Sequence, residues 1–143
     1  MGARSVLIRA GRVALADGRL EDADILIEEG RITSIGATAG QADITLNAQG
    51  KLVLPGIVDL HGDAFERQIM PRPGVSFPLD LALLDTDRQM VANGITTAYH
   101  GVTLSWEPGL RSRDVVVRLL DAMEANQDRF ACDTRFHLRF ETF

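Results

Sequence analysis

A chain of 143 residues has about the length of one domain, and its 45% apolar and 24% charged residues are ordinary for a globular protein. The formal net charge of −5 gives no reason to expect nucleic-acid binding, and no segment has the roughly 18 consecutive apolar residues of a membrane span. The single cysteine, Cys132, excludes an internal disulfide framework and fits a small buried apolar side chain. Because the N-terminal residues show no signal-peptide pattern, we expect a cytoplasmic protein without membrane contact.

The first 55 residues predict several short strands separated by turns. Asp17-Gly18 and Glu29-Gly30 are turn signals between short apolar runs. We expect a small antiparallel β unit that looks like half of a sandwich, with a stand-alone β domain as the alternative. The predicted strands are residues 5–9, 23–28, 31–36, 44–46 and 52–54.

The stretch after Pro55-Gly56 predicts a strand that ends in two residues of metal-binding type. Residues 57–60 are mostly apolar and partly β-branched, as in a buried strand. Since side chains alternate along a strand, we expect Asp59, His61 and Asp63 on one face. An imidazole and a carboxylate two positions apart can reach one divalent cation, and these ligands suit Zn, Mn or Fe better than Ca or Mg. The alternative is a His-x-Asp pair without a ligand role.

Residues 64–78 predict a loop that is rich in proline and arginine. Proline fixes φ and stiffens the loop, which leaves the end of the predicted strand. A guanidinium group matches phosphate oxygens, so Arg67 and Arg72 are candidate phosphate contacts. The alternative for both is a solvated loop arginine.

A helix and a second strand follow in the order that predicts parallel pairing. Asp85-Thr86-Asp87 has the acidic residues of a helix N-terminus, Asn93-Gly94 ends the helix, and residues 95–100 form a β-branched strand. Strand, loop, helix and strand in this order predict parallel strands. We expect His100 to point toward the same end as His61 and to contact substrate or a metal ligand, with a structural histidine as the alternative.

The remaining residues predict a loop, a helix and a third strand. The loop over 101–109 carries Trp106, which would cover a site or cap the fold. Ser112 is predicted to cap a helix over about 113–126, and we interpret its apolar stripe as core. The stripe consists of Val116, Leu119, Leu120 and Met123.

Residues 134–141 alternate strictly between apolar and polar side chains. In a half-exposed sheet the polar side chains would simply be solvated. In a third barrel strand they would point inward, with Glu141 at the end where active sites form. The apolar positions are Phe136, Leu138 and Phe140, and the polar ones are Arg135, His137, Arg139 and Glu141.

Several motifs in this order resemble the amidohydrolase superfamily. Leu54-Pro55-Gly56, His61-Gly62-Asp63 and Gly94-Ile95-Thr96-Thr97 resemble the first two strands of its barrel. Most members carry His-x-His at the first strand, and the His-x-Asp form resembles the phosphonate-metabolism branch. Pro71-Arg72-Pro73 and the run from His137 to Glu141 resemble the same branch, which places Arg72 first among the phosphate candidates.

This resemblance implies an α/β fold in two parts. Residues 1–55 would form the N-terminal part of a composite β-sandwich, and residues 56–143 the first three βα units of a TIM-like (β/α)8 barrel. A complete barrel takes about 250 residues. We therefore expect the N-terminal portion of such an enzyme, completed by later residues or by a second polypeptide. An independent small α/β domain is the alternative.

The resemblance also implies a metal-dependent hydrolase, a diphosphatase that releases pyrophosphate from α-D-ribose 1-methylphosphonate 5-triphosphate. The cofactor would be a divalent metal, zinc before manganese or iron, and the general base would lie beyond Phe143. A C–N hydrolase (deacetylase, deaminase or cyclic amidase) and a non-catalytic module that needs a partner chain are the alternatives. The isolated 143 residues are expected to show no turnover, and a homo-oligomer is left open. The candidate metal ligands are His61, Asp63 and, from the resemblance, Glu141; the candidate substrate contacts are Arg72, His100 and Arg139.

Overall fold

The computed structural model of the protein describes residues 4–37 and 40–142. The chain divides into two compact units, Met1–Pro55 and Gly56–Phe143. Their assignment to a composite sandwich and a barrel stays a prediction.

The first unit is a five-stranded sheet in the order β3-β2-β1-β4, with β5 also paired to β1. β1 and β2 are antiparallel, as are β2 and β3, and these hairpins follow the predicted turns. β4 and β5 run parallel to β1, and β3 and β4, although consecutive in the chain, lie at opposite ends of the strand order. The expectation of a purely antiparallel unit is therefore wrong. The strands are β1 (Ser5–Ala14), β2 (Leu20–Glu28), β3 (Arg31–Gly36), β4 (Ile44–Asn47) and β5 (Leu52–Val53).

One face of this sheet is aliphatic across four strands. Ile8 pairs with Ile25 and with Leu46, and Ile25 pairs with Ile35, so their side chains share a face. Ile25 is buried, whereas Ile35 and Leu46 are exposed. The strands at the sides of the sheet therefore carry apolar side chains that the first unit does not cover.

Within the described residues, the second unit is a three-stranded parallel sheet, in the order β6-β7-β8, with three α-helices and a short 3₁₀ helix (Gln127–Arg129). The β6–β7 and β7–β8 pairs are both parallel, so the pairing predicted from the strand–helix–strand order is confirmed. The elements are β6 (Ile57–Gly62), α1 (Ala64–Ile69), α2 (Leu79–Ala92), β7 (Ile95–Leu104), α3 (Arg113–Ala125) and β8 (Asp133–Phe140).

The two faces of this sheet differ in what lies on them. Ala98, His100 and Val102 of β7 are buried on the side where the helices pack, which we call the helix-covered face. The opposite side carries Tyr99, Gly101, Arg135, His137 and Arg139, which we call the polar face; the β7–β8 register places these positions together. The helical core contains Phe65, Ile69, Ala82, Leu83, Val102, Val116, Leu119, Ala122 and Met123.

Helix boundaries differ from the prediction on both sides of Pro78. Residues 64–69, predicted as loop, form α1, whose Phe65 and Ile69 are buried. α2 begins at Leu79, directly after Pro78, so Asp85-Thr86-Asp87 lies inside the helix and not at its start. A helix can begin directly after a proline. The backbone N–H that proline lacks would form no hydrogen bond within the helix at this position.

The prediction for α3 is correct in position and differs in two details. Val116, Leu119 and Met123 are buried as predicted, whereas Leu120 is exposed. Ser112 occupies the N-cap position, but its side chain makes no capping hydrogen bond to any described residue. Among the described residues, no helix is long and apolar enough to cross a membrane.

Candidate active site

A β-bulge near the end of β6 decides which side chains reach the polar face. Asp59 pairs with Ala98 and Gly62 with His100, so three steps along β6 oppose two steps along β7. The extra residue reverses the alternation of side chains, as bulges do beside many active sites. Asp59 therefore faces the helix-covered side, and its Oδ1 accepts a hydrogen bond from the His61 backbone N–H at 3.0 Å. The expectation that Asp59 shares a face with His61 is wrong.

The His61 ring lies over Gly101 on the polar face. A Cβ built on Gly101 would stand 2.7 Å from Cε1, 3.0 Å from Nε2 and 3.1 Å from Nδ1 of His61. The other neighbour of the ring is His137, edge-to-face with the centroids 5.4 Å apart. His137 in turn places Nδ1 3.4 Å from the Leu60 carbonyl oxygen. Two imidazoles thus meet at the carboxyl-terminal half of a parallel sheet, the edge where α/β proteins bind ligands.

Asp63 and Glu141 do not join this pair. Asp63 is exposed at the N-cap position of α1. Glu141 follows β8, where its backbone N–H donates to the Leu104 carbonyl at 3.1 Å, and its Oε1 lies 3.7 Å from Nη1 of Arg111. Within residues 4–37 and 40–142, no group of three or more His, Cys, Asp or Glu side chains is placed to hold a metal ion. The structure therefore does not form the predicted set of His61, Asp63 and Glu141.

The residues of this chain also fall short of a catalytic metal site by ligand count. His61 and His137 converge, whereas catalytic zinc sites use three protein ligands. Imidazole is a suitable zinc ligand, so His61 and His137 match two of the three protein ligands that such a site needs.

His100 lies on the helix-covered face and not on the polar face. It is 2% exposed and packs edge-to-face on Phe65, with the ring centroids 5.2 Å apart. Burial lowers its pKa, and the charges of Asp59 and Asp87 oppose that shift only in part. Its Nδ1 has no hydrogen-bond partner among the described residues. The expectation that His100 lies on the same side as His61 is wrong, because Tyr99 and Gly101 occupy the polar-face positions beside it; a contact between His100 and substrate stays a prediction.

The candidate arginines have different surroundings. Arg139 is exposed on the polar face, two residues after His137. Arg72 is exposed in a tight turn, in which its carbonyl accepts the Val75 N–H at 3.1 Å. Arg67 is exposed in the last turn of α1. Each side chain is accessible to a ligand, and Arg139 is the one on the same face as the two imidazoles.

The sequence patterns did not predict two features of the site, the pairing of His137 with His61 and the contacts of Arg111. The alternation of residues 134–141 places His137 on the polar face, which is the signal that could have paired it with His61. Arg111 contacts Glu107 and Glu141 at 3.7 Å each, and the loop between β7 and α3 shows no pattern that predicts this. Trp106 in this loop is 71% exposed and lines a cavity together with Phe140 and Glu141 at the end of β8.

Comparison with known proteins gives partial matches to hydrolases. The chain is 29% identical over 118 residues to the α-D-ribose 1-methylphosphonate 5-triphosphate diphosphatase of Escherichia coli strain K12, covering 80% of this chain and 31% of that protein. It is 33% identical over 94 residues to the L-hydantoinase of Paenarthrobacter aurescens, covering 64% of this chain and 19% of that protein. These relatives are hydrolases of the amidohydrolase superfamily. No protein-family model matches the chain.

Solved structures with similar folds come from the same group of enzymes. A triazine hydrolase from Arthrobacter aurescens superposes with a TM-score of 0.66 at 21% identity, over 96% of this chain and 35% of that one. A D-hydantoinase superposes with a TM-score of 0.58 at 26% identity, over 93% of this chain and 26% of that one. The chain thus spans about a third or less of the proteins that it matches.

Proposed function

We propose that this chain forms the first part of a metal-dependent hydrolase that releases pyrophosphate from α-D-ribose 1-methylphosphonate 5-triphosphate. The observation that carries the proposal is the match to the E. coli diphosphatase, which extends over 80% of this chain. The His-x-Asp, Pro-Arg-Pro and His-Leu-Arg-Phe-Glu motifs support the same branch.

In this proposal the polar face of the second unit is the substrate side. Arg139 and Arg72 would bind phosphate oxygens, since a guanidinium group can donate two parallel hydrogen bonds to them. His61 and His137 would lie beside the reacting group at the carboxyl ends of the strands. A divalent metal, when bound, supplies an activated water. Zinc is the first candidate, and the ligands that this chain lacks would come from the remainder of the barrel.

We propose the remainder of the barrel as the partner of this sheet. Within the described residues, β6 and β8 each pair on one side only, with β7. Leu60 of β6 is 69% exposed and Phe140 of β8 is 67% exposed. Unpaired edges with apolar side chains are unfavourable in water. We propose that further strands, in the same or a second polypeptide, pair with both edges.

The test is an assay of the chain together with the remaining strands, with metal added. We expect pyrophosphate release from the methylphosphonate triphosphate, and its loss on chelation of the metal. We expect Arg139→Gln to lower turnover at least tenfold. Arg118→Gln, at an exposed position of α3, is the matched control and is expected to leave turnover unchanged. Ring opening of a hydantoin without pyrophosphate release would reject the diphosphatase.

The second candidate function is hydrolysis of a C–N bond. The D-hydantoinase of Ralstonia pickettii is 41% identical to this chain over 56 residues, a higher local identity than that of the diphosphatase. A panel of hydantoin, dihydroorotate and the triphosphate separates the two functions. Absence of both metal binding and turnover in the completed assembly would favour a non-catalytic module. The cytoplasmic location stays a prediction that cell fractionation tests.

A further inference from the structure

We propose that Gly101 is a positioning residue, whose missing side chain makes the space in which the His61 imidazole is held against His137. The geometry stands by itself, and its consequence for turnover rests on the proposed function. His137 thereby becomes the second imidazole of the site.

The His61 ring occupies the space above Gly101. Three atoms of the His61 ring lie within 3.1 Å of the place that a Cβ would occupy. Contacts below 3.0 Å, such as the 2.7 Å to Cε1, are essentially never shown by real Cβ atoms, so the His61 ring, the movable end of its side chain, would have to shift. Any other residue at position 101 would therefore displace the ring. Gly101 is not needed for backbone freedom, because its φ lies outside the left-handed region.

The backbone of His61 is fixed by a hydrogen bond, and His137 lies against one further side of its exposed ring. The bulge turns His61 onto the polar face, and the Asp59 carboxylate accepts its backbone N–H at 3.0 Å. His137 pairs in register with Gly101, so its ring stands directly beside the space that the glycine leaves. Nδ1 of His137 lies 3.4 Å from the Leu60 carbonyl oxygen, which ties the second ring to the residue before His61.

Rings held by packing on rigid strands lose little freedom when they meet a ligand, and this preorganisation favours catalysis. A side chain at position 101 would push His61 away from His137. Gly101 therefore acts through His61.

The first experiment measures ring geometry by NMR on the 143-residue chain labelled at histidine and glycine. We expect NOEs from the His61 ring to Gly101 Hα and to the His137 ring. Gly101→Ala is expected to abolish the His61–His137 NOE. Gly11→Ala is the matched control, since its Cβ would stand 2.6 Å from Val53 Cγ2 in the first unit, and it should leave that NOE intact. Absence of either NOE in the wild-type chain, or its survival in Gly101→Ala, would overturn the inference.

The second experiment is a double-mutant cycle, which applies even where Gly101→Ala folds poorly. We expect Gly101→Ala to lower the urea midpoint modestly in the wild-type chain, since the clashing atoms belong to the movable end of an exposed side chain, and to lower it less still in a His61→Ala background, because the clashing ring is gone. Equal losses in both backgrounds, or a double variant that also fails to fold, would overturn the inference. Neither experiment involves turnover. A negative result in these two experiments would therefore not contradict the proposed function. Absence of pyrophosphate release would likewise not contradict the inference about Gly101.

Discussion

His100 and His61 show how neighbouring strands give the same residue type opposite environments. His100 is enclosed between β7 and the helices, whereas His61 and His137 are exposed on the polar face. Enclosure disfavours the charged imidazolium, and this is why the pKa of His100 is lowered. An uncharged imidazole with an unpartnered nitrogen is therefore part of the core.

This environment makes stability depend on pH. The unfolded chain binds a proton at His100 below the ordinary pKa of about 6.5, whereas the folded chain does so only at lower pH. Stability is therefore expected to fall as pH drops from about 6.5 toward the lowered pKa, by at most about 1.4 kcal/mol per pH unit. His100→Leu should flatten this slope in urea unfolding at pH 7.5, 6.5 and 5.5. An unchanged slope would contradict the prediction.

Asp87 is a second buried polar residue, and it joins α2 to the start of β8. It is 1% exposed, and its carboxylate accepts the backbone N–H groups of Ala131 at 3.0 Å and of Cys132 at 2.9 Å. Arg88 pairs with the same carboxylate. Asp87 thereby fixes where β8 begins.

Removal of this carboxylate should leave the buried Cys132 N–H and the part-buried Ala131 N–H without their acceptor. We expect Asp87→Ala to lower the free energy of unfolding by roughly 2 kcal/mol or more. The exposed Asp121→Ala of α3 is the control and should change it by about 0.5 kcal/mol or less. Urea unfolding measures both, and equal effects of the two variants would argue against the role of Asp87.

At this scale the sequence predicts which residues carry chemistry better than it predicts where they point. His61 and Arg139 lie on the polar face as expected. Asp59 does not, because the bulge in β6 interrupts the alternation that the prediction assumed. His100 does not, because β7 alternates regularly and it is Tyr99 that lies on the polar face, beside Arg135. A bulge depends on pairing between strands and leaves no signal in the strand's own sequence.

Among the elements, α2 shows how the chain ends a helix and enters a strand. Asn93 closes the helix, and Gly94 follows with φ of +81°. Its N–H donates to the Val91 carbonyl at 3.0 Å, and its carbonyl accepts the Ile57 N–H at 2.9 Å. Gly94 therefore links the end of α2 to the beginning of β6.

Replacement of Gly94 should strain this link. A side chain is disfavoured at positive φ, so we expect Gly94→Ala to cost about 1 kcal/mol. Gly40→Ala is the matched control, because nothing lies within 4 Å of its Cβ position and its φ is not in that region. Denaturant midpoints compare the two variants, and a Gly94→Ala midpoint at or above that of the control would refute the expectation.

Most strands were predictable because their apolar runs end at turn signals, as at Gly30 and Gly94. α1 was not, since Pro71 and Pro73 dominate the appearance of residues 64–78 although the helix ends before them. The start of α2 was misplaced because the acidic residues that resemble a helix N-terminus include Asp87, which serves β8 instead.

At the scale of the whole molecule, both units leave large apolar side chains exposed to water. The second unit leaves Leu60 and Phe140 exposed at its two unpaired edges. The first unit leaves Ile35 and Leu46 exposed on its aliphatic face. Both units therefore have surfaces suited to pairing with further strands.

We expect the isolated chain to self-associate as its concentration rises. Leu60→Lys should raise the monomer fraction, because a lysine on an edge strand opposes strand addition. Leu81→Lys, at an exposed position of α2, is the control and should have a smaller effect. Sedimentation velocity at several concentrations measures the fractions. A wild-type chain that stays monomeric throughout would contradict this prediction.

The two-unit arrangement was predictable from the change of pattern at Pro55-Gly56, where short strands give way to alternating strands and helices. The parallel course of β4 and β5 was not, because a crossing over the sheet depends on contacts far apart in the chain.

Trp106 gives the protein an intrinsic optical reporter. It is the only tryptophan in the sequence, and it projects from the loop after β7. A water-exposed indole emits at long wavelength, and burial against added chain shifts that emission to the blue. Mixing the chain with segments that extend the sheet should therefore be visible in fluorescence without any label.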